Sequence, residues 1–401
     1  MADSAPTQGV PSGKGDTMDT VERITEINRD RVRWCCRERG ITVEQLADEV
    51  GISKKTITQF FEIEEGLTFI QLRKIADYFG RGVLFFLDEG PVDPARVHSV
   101  QYRTLANQKP GLSFEVKKLV ERVERQRDVF LSLREASQAE DRIKFSPPVL
   151  SKQPEAAAAQ ARKWLGLARE SSFDEYRERV EAKGVLVIRS NGYVGQWQIA
   201  KDSPVLGFNL YDADCPVIFV RKSRWDTQQT FTLMHELGHI LLHRSSSVDD
   251  DADMHAPHGQ EREANAFAGH LLVPEASLLA IDDRQRPNDV RALDTWLKPH
   301  RTAWGVSTEM LLRRLVDVGR LEEHTYVEYR AFFKNLVLPE EDRGNRMYRY
   351  REPKHIFGEP FVRAVLGALS ARRISATKAC SYLDGLKLQD LHQLERHVAS
   401  L

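Results

Sequence analysis

The chain is poor in cysteine. Its 401 residues hold four, Cys35, Cys36, Cys215 and Cys380, and no C-x-x-C pair. Adjacent cysteines rarely bridge and the others are scattered, so a disulfide framework or a cysteine zinc site is not expected. A reducing cytoplasm is the expected setting. Long apolar runs are missing as well: none approaches the roughly 20 residues a membrane helix needs. The first twenty residues, MADSAPTQGVPSGKGDTMDT, lack the apolar stretch of a signal peptide and read as a disordered tail. Net charge is only −1, so no global field draws the molecule to nucleic acid, and any DNA contact must come from a local patch.

What is present is an ordinary globular composition, 41% hydrophobic and 29% charged, on a chain long enough for two or three domains. Residues 21–89 read as short helices with tight turns, Gly40 and Gly80 stopping two of them and Thr42 and Ser53 starting two others. Residues 90–150 read as a helical linker. Its stretch FEVKKLVERVERQRDVFLSLREASQ has apolar residues at spacings of three and four and should dock one face. Residues 151–285 mix helices with three strands, VLVIR, VLGFNLY and PVIFVRK, the last two joined by the turn DADC. Residues 286–401 read as a mostly helical C-terminal region.

The stretch TLMHELGHILLH, residues 232–243, places ionisable groups in an apolar helix. His235 and His239 are four apart and share one helix face, a spacing that suits two nitrogens on one zinc ion. Glu236 sits beside the first histidine and can serve as general base on a metal-bound water. Gly238 lets another backbone come close to the helix. A third ligand is required, and Glu261, Glu263, the Asp249–Asp253 cluster, His255 and His258 are the candidates. Consecutive acids repel when gathered at one point, so the loop RSSSVDDDADMHAPHGQ is expected to be solvated. Glu261 and Glu263 are two apart on a helix, so one alone can face the ion. His243 is expected to touch the ligands rather than to ligate. Nitrogen and oxygen donors accept zinc, manganese or iron.

FTLMHELGHILLH followed by EREANAFAGHLLVP resembles the ImmA/IrrE family of metallopeptidases. Aligned on Ala264, Asn265, Phe267, Ala268 and Pro274, the family's ligand position falls on Glu261, with Glu263 as the alternative. WGVSTEMLLRRLVDVGRL is similar to the helical segment that follows the family's core. The resemblance implies an α+β zincin-like core over 151–285, with a small sheet and the HExxH helix. It also implies zinc on His235, His239 and Glu261, and Glu236 as the base. The implied activity is cleavage of a regulatory DNA-binding protein, a repressor or antitoxin, in stress response or mobile-element control. That substrate is expected to lie extended along PVIFVRK.

ITVEQLADEVGISKKTITQFFE resembles the helix-turn-helix of phage-repressor-like (Xre) regulators at Leu46, Ala47, Gly51, Ile52, Ser53 and Ile57. The resemblance makes residues 21–89 an all-α domain whose second helix presents Lys54, Lys55, Thr56, Thr58 and Gln59. Lysines suit phosphates and Gln suits adenine. Val43 and Phe61 stand where the family carries Gln and Glu, which leaves DNA binding and protein docking both open. The chain is thus expected to be multidomain, without a membrane partner, its oligomeric state open. The alternative function is a transcriptional regulator whose peptidase-like domain senses rather than cleaves.

Overall fold

A computed structural model of the chain describes residues 22–63, 65–93, 105, 109, 112–135, 144–168, 170–193, 195–250, 252–255, 258–334 and 346–399. The expected tail, 1–20, lies outside them. Two compact units divide the chain, Met1–Val97 and His98–Leu401.

In the first unit a two-residue ladder joins β1 (Arg23–Ile24) to β2 (Leu67–Thr68). Around it run α1 (Arg29–Arg39), α2 (Val43–Val50), α3 (Lys54–Glu62), α4 (Phe69–Phe79) and α5 (Val83–Leu87). The caps follow from residue type. Thr42 and Thr68 each form a reciprocal box with a Gln three residues on, Ser53 accepts from the Thr56 amide, and Gly40, Gly51 and Gly80 end their helices in the left-handed region. Val32, Leu46, Ala47, Ile57, Phe60, Leu72, Ile75 and Phe86 fill the core. That leaves Lys54, Lys55 and Thr58 exposed on α3, with Thr56 and Gln59 half-buried. Lys54 pairs with Asp48 at 3.0 Å.

The second unit has three layers. Its sheet comprises β3 (Leu186–Arg189), β4 (Val205–Leu210), β5 (Val217–Val220) and β6 (Ser247–Asp250), in the order β3-β5-β4-β6. The β3–β5 pair is parallel; β4 runs antiparallel to both its neighbours. Alternate side chains serve two separate cores, as the twofold period of a strand requires. Val187, Ile218 and Val220 face one, and Leu186, Ile188, Val217, Phe219 and Phe208 the other.

The first of these cores is covered by α7 (Pro154–Leu165), α8 (Phe173–Glu181), α9 (Asp226–Gly238), α10 (Gly259–Leu272) and α11 (Glu275–Leu278). Behind them stand α12 (Leu293–Trp304), α13 (Thr308–Asp317) and α14 (Glu323–Lys334). The other core lies beneath α6 (Phe114–Glu135) and three C-terminal helices, α15 (Glu352–Ser370), α16 (Ala376–Tyr382) and α17 (Leu388–Ala399).

Two expectations are corrected. The acidic segment after the HExxH helix is not all solvated loop, because Ser247–Asp250 forms the fourth strand and Asp249 is 1% exposed. PVIFVRK cannot offer its backbone to an extended substrate, because β5 lies between β3 and β4 with both edges already paired. Among the described residues no helix is long and apolar enough to cross a membrane.

Candidate metal centre

Helix α9 buries Leu233, Met234 and Leu237, and His235, Glu236 and the adjoining His239 are also at most 1% exposed. Buried polar groups at that cost require partners or an ion. At His239 the helix widens into a π-turn, His239–His243, closed by the Arg244 amide donating to the His239 carbonyl at 2.9 Å. Such turns are rare and recur at functional sites. Gly238 permits the close crossing of α10, since a Cβ there would lie 3.1 Å from Phe267 Cδ1 and 3.3 Å from Ala264 Cα.

Four side chains converge. Nε2 of His239 lies 3.1 Å from Nε2 of His235 and 3.2 Å from Oε2 of Glu261. Nε2 of His235 lies 3.3 Å from Glu261 Oε2 and 3.3 Å from Asp249 Oδ2, and His239 Nε2 lies 3.7 Å from Asp249 Oδ2. All the donor atoms fall within 4.8 Å of one another. Bonds of about 2.0–2.1 Å to a tetrahedral ion imply donor separations of about 3.3 Å, so these four donors fit zinc. Their charges fit too: two neutral imidazoles and two carboxylates balance a divalent cation. Glu261, 27% exposed on its side chain, is the member that meets solvent.

Glu236 has its own setting. Oε2 accepts from Asn209 Nδ2 at 3.2 Å and from the Ser247 hydroxyl at 3.4 Å. Oε1 is buried without a hydrogen-bond partner among the described residues, as is Nδ1 of His235. Gly207, at an irregularity in the β4–β6 ladder, makes room for this carboxylate. A Cβ at Gly207 would come within 2.7 Å of Oε1 and 2.6 Å of Thr232 Cγ2.

Asp249 is the donor that sequence reasoning set aside with its acidic neighbours. In β6 the alternation runs polar-inward: Ser247 and Asp249 face α9 while Val248 enters the other core. The lone valine between polar residues two apart was the available signal. Asp250 and Asp253 instead accept from Lys109. Glu263 turns to His243 Nε2 at 3.0 Å, and His243 Nδ1 lies 3.0 Å from His239 Nδ1, so this pair backs a donor rather than joining the cluster. His258 is exposed ahead of α10, and the His255 side chain lies outside the described set.

The electrostatics favour positive charge at the centre. Burial opposes charge on His235, yet Asp249 and Glu261 push its imidazole up to about 9. Burial likewise opposes ionisation of Glu261, but the His235 and His239 rings hold it well below the usual carboxylate range. Glu236 moves the other way, raised by burial and then by the charge of Asp249.

Comparison with known proteins agrees with this arrangement at the level of domains. Residues 181–316 match the family model of the IrrE N-terminal-like domain, Peptidase_M78. Residues 32–86 match a helix-turn-helix model. No curated protein matches the chain. The match over 181–316 spans β3 to α13 and so contains every residue of the cluster. The chain is thus similar to an IrrE N-terminal-like domain over 181–316 and to a helix-turn-helix domain over 32–86.

Proposed function

We propose that the second unit is a zinc-dependent endopeptidase acting on a DNA-binding regulator, a repressor or antitoxin. His235, His239 and Glu261 hold the ion, and Asp249 adds a fourth donor. The observation that carries the reading is the convergence of these donors next to a carboxylate, Glu236, whose Oε1 has no other partner. A bound zinc ion supplies Lewis acidity, lowering a water's pKa towards roughly 7 and polarising a carbonyl.

The chain's own residues do the rest. Glu236 takes up the water proton at Oε1 and returns it to the leaving amine. Asn209 and Ser247 fix Oε2, so the free oxygen points one way. Burial keeps bulk water from competing for that proton, and its upward shift places Glu236 nearer the working range of a general base.

Exposed Lys54 and Lys55 on α3 support a DNA or protein partner for the first unit. Its balanced charge favours neither over the other. The sensor reading, with no turnover, is weaker because all the groups for hydrolysis are assembled. The test is Glu236→Gln in the full chain, mixed with a helix-turn-helix protein encoded nearby. Cleavage by the parent, none by the variant and equal zinc in both is the expected result. A variant that still cuts refutes the assignment of Glu236, and a zinc-free parent refutes the metal reading.

A further inference from the structure

A cavity of about 300 Å³ opens where the end of β3, the segment after β5 and the start of α15 meet. Arg189, Lys222, Arg351 and His355 line it, with Ser190, Asn191, Tyr193, Tyr348 and one acid, Glu352. None of these belongs to the metal cluster. We propose that this cavity binds a small phosphorylated ligand, its phosphate held by Arg189, Lys222 and Arg351.

Three permanent cations meet in one cleft, and its one carboxylate, Glu352, is held by Asn191 in the lining and by Arg349 beside it. Glu352 Oε2 accepts from Asn191 Nδ2 at 3.0 Å and pairs with Arg349 at 2.5 Å. Among the described residues Lys222 and Arg351 have no acidic partner within ion-pair distance, while Arg189 has the exposed Asp174 3.8 Å away and feels the charge of Asp226. Gathering like charges without counter-charge is unfavourable, and an anion relieves it. His355 sits among these cations: burial first, and then the charge of Arg189, push its imidazole down to about 4, with Lys222 adding to that effect. Arg189 Nη2 lies 3.2 Å from His355 Nδ1.

Phosphate suits this set better than a carboxylate. Two guanidinium forks can each donate in parallel to phosphate oxygens, and a flexible ammonium completes the charge. The Arg351 guanidinium stands 4.8 Å over the Tyr348 ring, so an aromatic surface adjoins the cationic one. A volume of about 300 Å³ is at the lower end of small-molecule sites and admits a group up to about a nucleoside monophosphate. The walls come from both the sheet and α15, so a ligand here ties the C-terminal helices to the peptidase sheet.

The test is calorimetric titration of the full-length protein with inorganic phosphate, adenosine monophosphate and adenosine, at fixed ionic strength. Phosphate and the monophosphate should bind saturably and adenosine should not. Equal affinity for the two phosphates assigns the site to free phosphate; tighter monophosphate assigns it to a phosphomonoester. Lys222→Glu and Arg351→Glu, both at exposed side chains, should each weaken binding by about tenfold or more. Their thermal melting should match the parent's. No saturable binding at millimolar phosphate and monophosphate, or binding untouched by both charge reversals, overturns the proposal.

Discussion

Gly207 and Glu236 face each other across the β4–α9 interface, so close that a single methyl group on the glycine would reach within 2.7 Å of the carboxylate oxygen. The strand has no side chain there, and the carboxylate occupies that space. Gly207→Ala should therefore displace Glu236 while leaving the donors in place. Cleavage is expected to fall by about 10²-fold, the scale of a misplaced general base, with zinc per chain unchanged. Loss of zinc together with activity would show instead that the sheet itself had moved.

Asp249 and the histidine pair are within ligation distance of one ion. Asp249→Ala should lower zinc affinity by about tenfold or more in chelator competition, because it removes one of the four converging donors. An unchanged affinity would leave Asp249 as a spectator of the site.

Glu261 and Glu263 divide cleanly. Glu261→Gln should abolish stoichiometric zinc, because its Oε2 lies beside both histidines. Glu263→Gln touches a pair that is 56% exposed on the Glu263 side and should change zinc affinity by less than about tenfold. Metal analysis of the two purified variants decides it, and a zinc-free Glu263→Gln protein would reverse the assignment.

His355 gives a pH signature away from the metal cluster. Its folded value is about 4 against 6.5 when unperturbed, through loss of hydration and then the positive charge of Arg189, with Arg177 and Lys222 adding to it and Asp174 opposing. Between those values the unfolded chain binds a proton that the folded chain rejects, so stability falls as pH drops from about 6.5 to about 4. His355→Gln should flatten that part of the melting-temperature profile. A parallel profile would remove His355 from the account.

Lys54→Glu with Lys55→Glu should weaken any DNA complex of the first unit by about 10²-fold and reduce its salt dependence. Mobility-shift titration over several salt concentrations, on DNA upstream of the gene, measures both. Unaltered binding would move the contact surface away from α3.

Helical spacing made His235, Glu236 and His239 readable in the sequence, because a four-residue step has one geometric meaning on a helix. Glu261 was readable only through the second helix's pattern. Asp249 was not, since acidic runs usually lie in water and here a strand turns its polar side inward. The caps at Thr42, Ser53 and Gly80 were legible from residue type alone. The order of the strands was not, because four or six residues of apolar sequence do not name their neighbours. The apolar stripe of α6 predicts that it docks, but not that it docks on the far face of the peptidase sheet.

Lys109 gives the metal cluster an unexpected dependence on chain order. It closes a loop of 141 residues to reach Asp250, the neighbour of Asp249, and it holds Asp253 as well. The two histidines come from one helix and Glu261 lies only 22 residues past His239, so three donors can gather locally. Asp249 is nearer still in sequence, ten residues past His239, but its neighbour Asp250 is held by a segment that precedes the whole family-model match. Removing Lys109 would release Asp250 and Asp253, the chain neighbours of Asp249, without altering any residue of the cluster.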